Sequence, residues 1–151
     1  MRLRFSRTAD YGLRAALAIG TAPPGERVKR QSIARATNAP ASVLAQALAS
    51  MTRAGLLSAR SGRNGGYRLA RPASEVTIHD IVVAIDDEDA ADQCVLRGGS
   101  CMWEDVCPFH TFLTDARKSF LDALRATTLA DLVAEIKVET LPGDIPKGDR
   151  T

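Results

Sequence analysis

Three cysteines, Cys94, Cys101 and Cys107, fall within fourteen consecutive positions in the pattern C-x6-C-x5-C. An odd number of thiols so close together is not a disulfide framework. It is a soft-donor set suited to a thiophilic metal. Structural zinc sites pair their cysteines roughly two to four residues apart, a spacing absent here. Iron–sulfur clusters are larger and take thiolates from looser loops, which suits the two wide gaps. Cys107 also precedes Pro108, the expected first turn of a helix whose dipole favours a thiolate. A cluster on three cysteines needs a fourth ligand, and two residues compete for it. His110 lies one helical turn beyond Cys107, whereas Asp10 sits on the first helix and would reach in from a dimer partner. Redox-active thiols are the alternative reading of the cysteines. An ordinary helix-start carboxylate is the alternative for Asp10, and a part-exposed bystander for His110. His79 reads as a surface or packing residue.

The elements that must carry these residues follow from periodicity and breakers. A first helix is expected from about Arg7 to Ile19, with Leu13, Ala16, Leu17 and Gly20 on one face. The run Thr21-Ala22-Pro23-Pro24-Gly25 stops it. A second helix fits Lys29 to Thr37, ending at Asn38. Ala39-Pro40-Ala41-Ser42 then forms a short turn before a third helix, in which Leu44, Leu48 and Met51 repeat and which Gly55 closes. Two helices joined so tightly make a helix-turn-helix. Leu56 to Ala59 and Tyr67 to Leu69 read as strands around the loop Arg60 to Gly66, and Asn64-Gly65 is a strong hairpin signal because both residues tolerate positive φ. A hairpin placed directly after a helix-turn-helix is a wing.

Beyond Arg71-Pro72, the segment Thr77 to Asp86 predicts a short amphipathic helix, and Asp87 to Val106 an acidic loop long enough to have a function. From Pro108 to about Ala126 a long helix carries the ridge Phe109, Phe112 or Leu113, Ala116, Phe120 and Leu124. A last helix spans Thr128 to Val138. The expected fold is therefore mainly α with a small β-hairpin wing. Its parts are a winged helix-turn-helix over 1–76, a connecting helix and cysteine loop over 77–107, dimerisation helices over 108–138, and a disordered tail over 139–151.

The net charge of +2 conceals an asymmetry. Met1 to Val76 holds 13 Lys and Arg against 3 Asp and Glu, while Thr77 to Thr151 holds 7 against 15. A basic first half suggests a polyanionic partner, with internal pairing of the halves as the alternative. Aromatic content of 5% argues against a surface that stacks single-stranded nucleic acid. No apolar run approaches the roughly 18 residues of a membrane span. Arg14 interrupts the apolar stretch near the start, which argues against a secretory leader, while Asp10 and the continuous helical pattern disfavour a mitochondrial one, so a cytoplasmic location is expected. No paired carboxylates, nucleophile–base set or phosphate-cradling loop points to catalysis, and the chain is read as a non-enzyme.

These residues, in this order, resemble the winged-helix regulators of the IscR/NsrR type. The matching features are the initial Met-Arg-Leu, a wing resembling R-G-x-x-G-G-Y-x-L (Arg60, Gly62, Gly65, Gly66, Tyr67, Leu69, with Ser61 inserted after the arginine), the three cysteines, and Thr128-Leu129-Ala130-Asp131-Leu132-Val133 as T-L-x-D-L-V. They span about Met1 to Val138. The first cysteine gap departs from the group, with six residues instead of the commoner five. The resemblance implies a [2Fe-2S] or [4Fe-4S] cluster on the cysteines and a two-fold homodimer on the long helix. IscR-like members take a histidine three residues after the last cysteine as fourth ligand, matching His110. NsrR-like members take an aspartate of the partner's first helix, matching Asp10, and both alternatives stand.

The implied function is a bacterial transcription regulator, a repressor that senses nitric oxide, redox state or iron–sulfur status and binds a double-stranded DNA operator. Its third helix would enter the major groove with Ser42, Val43 and Gln46 outward, Gln46 suited to adenine and Val43 to a thymine methyl. Arg60, Arg63 and Asn64 of the wing would meet phosphates or the minor groove, and Arg4, Lys29, Arg30 and Arg35 further phosphates. A zinc- or thiol-switched DNA-binding regulator, and a winged-helix protein-interaction module, are the rival readings.

Overall fold

Helix α1 (Arg7–Gly20) turns Ala9, Gly12, Ala15, Ala16 and Ile19 inward, a face of small side chains that lets its neighbours approach closely. A computed structural model describes residues 5–86, 94, 96 and 106–136. Arg4, Cys101, most of the expected cysteine loop and the expected tail lie outside those residues. Six α-helices, a short 3-10 turn and one hairpin make up the described part, so the mainly α fold with a β wing read from the sequence is the one observed.

Helices α2 (Arg30–Thr37) and α3 (Ala41–Arg53) pack beneath α1. Asn38 ends α2 in the left-handed region at φ 49°, a conformation asparagine tolerates better than most residues. Proline at position 40 precedes α3 without blocking it, because the first amides of a helix have no intrahelical partner. Helix α3 thus starts at Ala41, and Ser42 belongs to its first turn rather than to the preceding loop. Ile33, Leu44, Leu48 and Met51 are fully buried, each worth about 1.5–3 kcal/mol of apolar burial. They share one core with Leu56, Leu57, Val76, Ile78, Ile81 and Leu129.

The wing pairs β1 (Leu57–Arg60) with β2 (Gly66–Leu69) antiparallel, from Leu57 opposite Leu69 to Arg60 opposite Gly66. Val28 adds a third extended segment on the edge of β2, exchanging both backbone hydrogen bonds with Tyr67 at 2.8 and 2.9 Å. The loop lies within the Arg60 to Gly66 stretch expected, but Asn64-Gly65 does not supply its positive φ. The strands end at Arg60 and begin again at Gly66, which leaves a loop over 61–65, and positive φ falls at Gly62 (96°) and Gly66 (135°). Gly65 is required by close approach, since a Cβ there would lie 2.7 Å from the Ser61 carbonyl carbon and 2.9 Å from the Gly62 oxygen.

Helices α4 (Ile78–Ile85) and α6 (Leu129–Glu135) start back to back, each from a capping box. Thr77 accepts the Asp80 N–H and Asp80 accepts the Thr77 N–H, both at 3.0 Å. Thr128 and Asp131 repeat the arrangement at 3.2 and 2.8 Å. Thr77 and Thr128 form an isolated bridge, and the Leu129 N–H donates to the Val76 carbonyl at 2.7 Å. The T-L-x-D-L-V motif is therefore structural: threonine and aspartate cap the helix, and Leu129 fills the core. The long α5 (His110–Ala126) buries none of its residues fully; Phe112 is 68% exposed, while Phe120 packs on Phe5 with ring centroids 5.9 Å apart. No described helix is long and apolar enough to cross a membrane.

The hydroxyl and amide of Thr128 hold the Asp131 carboxyl below its ordinary value of 3.8, the hydroxyl contributing most. A depressed folded-state value means that this cap's contribution is complete above the ordinary carboxylate range. It is lost as pH falls through the folded value. Titration of the Asp131 carboxyl by NMR should give a midpoint below 3.8, and Thr128→Val should move it upward.

Candidate nucleic-acid interface and cysteine site

Helix α3 divides cleanly into faces. Leu44, Ala47, Leu48 and Met51 point into the core, while Ser42 and Gln46 are exposed and Val43 is half-buried. The three side chains expected to read bases thus lie outward on the first turns of α3. The Arg30 guanidinium donates to the Ala41 carbonyl at 3.1 Å, so this arginine ties the start of α2 to the start of α3. Lys29, Arg35, Arg60, Arg63 and Asn64 are all exposed. A groove of about 570 Å³ opens between the start of α2 and the wing, lined by Lys29, Arg30, Arg60 and Arg63 among others. Four cationic side chains around one concavity make a place where a phosphate is attracted.

Sequence reasoning missed Arg27, which stands behind that groove. Its guanidinium donates to the Ser58 carbonyl at 2.8 Å, the Gly66 carbonyl at 3.2 Å and the Ser58 hydroxyl at 3.1 Å. Loss of water around the guanidinium, followed by repulsion from Arg68 and Arg60, holds it below the ordinary arginine range. Nothing in the run Gly25-Glu26-Arg27-Val28 marks this arginine in the sequence, because its acceptors lie 31 and 39 residues away.

The cysteine side is only partly described. Cys94 and Cys107 are half-buried, and the His110 N–H donates to the Cys107 carbonyl at 3.1 Å, which places Cys107 in the turn that leads into α5 and His110 at its first residue. Asp10 lies in the first turn of α1 and forms a two-pronged ion pair with Arg14, both contacts at 3.0 Å. The Arg14 guanidinium in turn sits 5.7 Å from the centre of the Tyr11 ring. Among the described residues no group of three or more His, Cys, Asp or Glu is gathered as a metal site; Cys101 is outside them.

A link that the sequence did not suggest joins this region to α1. Asp86, the last described residue before the cysteine segment, accepts the Ser6 N–H at 3.0 Å and also the Ser6 hydroxyl. The same hydroxyl oxygen accepts the Ala9 N–H at 3.0 Å and so caps α1.

A helix-turn-helix with an exposed polar face on its second helix, beside a cationic hairpin, defines a winged-helix regulator. The chain belongs to the Rrf2 family, described as an iron-dependent transcriptional regulator, which matches residues 5–135. It is 36% identical over 133 residues to the protein aau3 of Rhizobium meliloti (strain 1021), covering 87% of this chain and 85% of that one. Its fold is similar to that of CymR, the global cysteine regulator of B. subtilis, with a TM-score of 0.76 at 23% identity over 90% of this chain and all of that one. IscR of T. potens is similar at a TM-score of 0.71 and 25% identity, over 89% and 93% of the two chains. The family resemblance read from the sequence thus stands, and the family is one of DNA-binding transcription regulators.

Replacing Ser6 by Ala removes the α1 cap and the hydroxyl donor to Asp86, while the backbone N–H at position 6 still reaches the Asp86 carboxylate. Caps of this kind contribute about 1 kcal/mol, so Ser6→Ala should lower the thermal midpoint by a few degrees, measured by circular dichroism. An unchanged midpoint would mean that water replaces the serine at no cost.

Proposed function

We propose that the chain is a cytoplasmic bacterial repressor whose grip on a double-stranded operator responds to an iron–sulfur cluster on Cys94, Cys101 and Cys107. The observation that carries this reading is the cysteine set itself, in a family described as iron-dependent. The donor chemistry fits: three thiols in a spacing unlike that of zinc, with Cys94 and Cys107 half-buried rather than sealed in the core. His110 or Asp10 of a second copy would complete the set. His110 is favoured by its place one turn from Cys107. Asp10 is engaged by Arg14, but that pair is part-exposed and worth only about 0.3–0.5 kcal/mol, so exchange is cheap. When bound, such a cluster supplies an iron centre that small oxidants and nitric oxide can reach.

The remaining work falls to this chain's own residues. Residues 1–76 would form the DNA-binding unit, 77–107 the connecting helix followed by the cysteine segment, and 108–138 the dimerisation helices. Ser42, Val43 and Gln46 would face base edges in the major groove, and Lys29, Arg30, Arg35, Arg60, Arg63 and Asn64 the backbone or minor groove, with Arg4 as a further phosphate contact. A displacement of the cysteine segment would pull on Asp86, and through Ser6 on α1, which packs directly against α3. The exposed ridge of α5, with Phe109 and Phe112 57% and 68% exposed, would be covered by the same ridge of a second copy in a two-fold dimer. A metal-free thiol switch is the second reading, favoured by the similarity to CymR of Staphylococcus aureus, a protein whose structure is known in an oxidised form.

Protein isolated without oxygen should be a coloured dimer, by visible spectrum and native mass, and Cys101→Ala should be colourless. Whichever of Asp10→Ala and His110→Ala bleaches identifies the fourth ligand. A colourless wild type that stays colourless after reconstitution with iron and sulfide would leave the thiol switch.

A further inference from the structure

Winged-helix wings owe their use to their angle against the helix-turn-helix, and a two-stranded hairpin alone is too weak to hold one. Here β2 is flanked on one side by β1 and on the other by Val28, which forms a backbone pair with Tyr67. The approach of Val28 is so close that a Cβ on Gly66 would lie 2.6 Å from the Val28 oxygen, and Gly66 also has a φ of 135°. The next residue toward the N-terminus, Arg27, reaches past β2 to the far strand, where Ser58 offers both its carbonyl and its hydroxyl, and also binds the Gly66 carbonyl. All three acceptors belong to the wing. The donor belongs to the segment leading into α2.

We propose that Arg27 is the positioning residue of the wing: its guanidinium is committed to Ser58 and Gly66, and it sets where Arg60 and Arg63 stand without itself touching a nucleic-acid phosphate. Only a planar fork with several fixed donors can satisfy acceptors on two strands at once; a lysine ammonium is a point charge on a flexible stem. The crowding of Arg27 with Arg60 and Arg68 gives this fork a second effect. It adds to the positive field at the wing base while keeping its own hydrogen bonds pointed inward. The inference rests on the DNA-binding reading above, yet the rigidity it claims is measurable without DNA.

The experiment compares wild type, Arg27→Met, Arg27→Lys and Arg60→Gln in two ways. Amide hydrogen exchange without DNA should show faster exchange across 57–69 in both Arg27 variants, with 41–53 protected as in wild type. Binding to mixed-sequence duplex DNA over a range of salt should then separate a positioning role from a contact. Arg27→Met and Arg27→Lys should both weaken binding about 5–10-fold at fixed salt with the salt slope of wild type. Arg60→Gln, as a contact, should reduce the slope by about one. A slope reduced by about one in Arg27→Met would make Arg27 a phosphate contact and overturn the proposal. So would full binding by Arg27→Lys, or unaltered exchange over 57–69. If wild type fails to bind duplex DNA in a salt-dependent manner, the DNA reading falls, and the exchange result alone decides whether Arg27 holds the wing.

Discussion

Helix α1 can occupy the centre of this fold only because its inner face is reduced to Ala9, Gly12, Ala15 and Ala16 before widening at Ile19. At Gly12 an added Cβ would meet the end of the Ile85 side chain and lie 3.5 Å from Ala47. A side chain there would displace the tip of Ile85 on α4, while α3 stands at ordinary contact distance. Helix packing distances follow the side chains at the contact, and a packed core accommodates discrete shifts rather than gradual ones. Helices α3 and α4 consequently share α1 as a common support.

The two halves of the chain differ in charge, and the structure indicates how that charge is spent. On the wing and the start of α2, Lys29, Arg60 and Arg63 stand exposed, while Arg27 and Arg30 are turned onto backbone carbonyls. Cations held against carbonyl oxygens fix geometry and still contribute field, whereas exposed cations remain available to a polyanion. An ion pair between the halves does occur, Arg71 with Asp80, but at 4.0 Å and largely in water it contributes little. The described part of the molecule thus resembles a prepared anion-attracting surface more than a self-neutralised one. The groove between α2 and the wing lies where that surface is concave.

Much of the fold was legible because its signals are local. Apolar periodicity located all six helices, with α1 from Arg7 and α5 to Ala126, and the breakers Pro23, Pro24, Asn38 and Gly55 ended elements where they should. The wing and its loop are legible from their place after a helix-turn-helix, yet the strained positions are not. Asn64-Gly65 is the stronger hairpin signal, but the strands stop at Arg60 and resume at Gly66, and positive φ falls at Gly62 and Gly66. What the sequence could not reveal was long-range pairing. Arg27 with Ser58, and Ser6 with Asp86, join positions 31 and 80 residues apart, and each involves residue types common on any surface. The candidate ligand residues were legible by type and spacing alone. His110 lies one turn from Cys107, as their spacing implies, whereas a ligand role for Asp10 would depend on a second copy of the chain.

The link between Ser6 and Asp86 also bounds how strong the proposed regulation can be. Hydrogen bonds to a charged acceptor contribute about 1.5–3 kcal/mol each when well formed, and less where water competes, as it does at this exposed pair. A signal that uncouples Asp86 from Ser6 can therefore bias the seating of α1 by about one to two kcal/mol per protomer, roughly a tenfold change. In the proposed two-fold dimer on one operator the bias would enter twice, so the change in occupancy would approach a hundredfold. That is a useful range for the repressor proposed above. It would need no unfolding of the winged helix, because Leu44, Leu48 and Met51 are buried in a core that does not include the Ser6–Asp86 link. The core supplies the stability, and the exposed Ser6–Asp86 link supplies a difference small enough to be reversed.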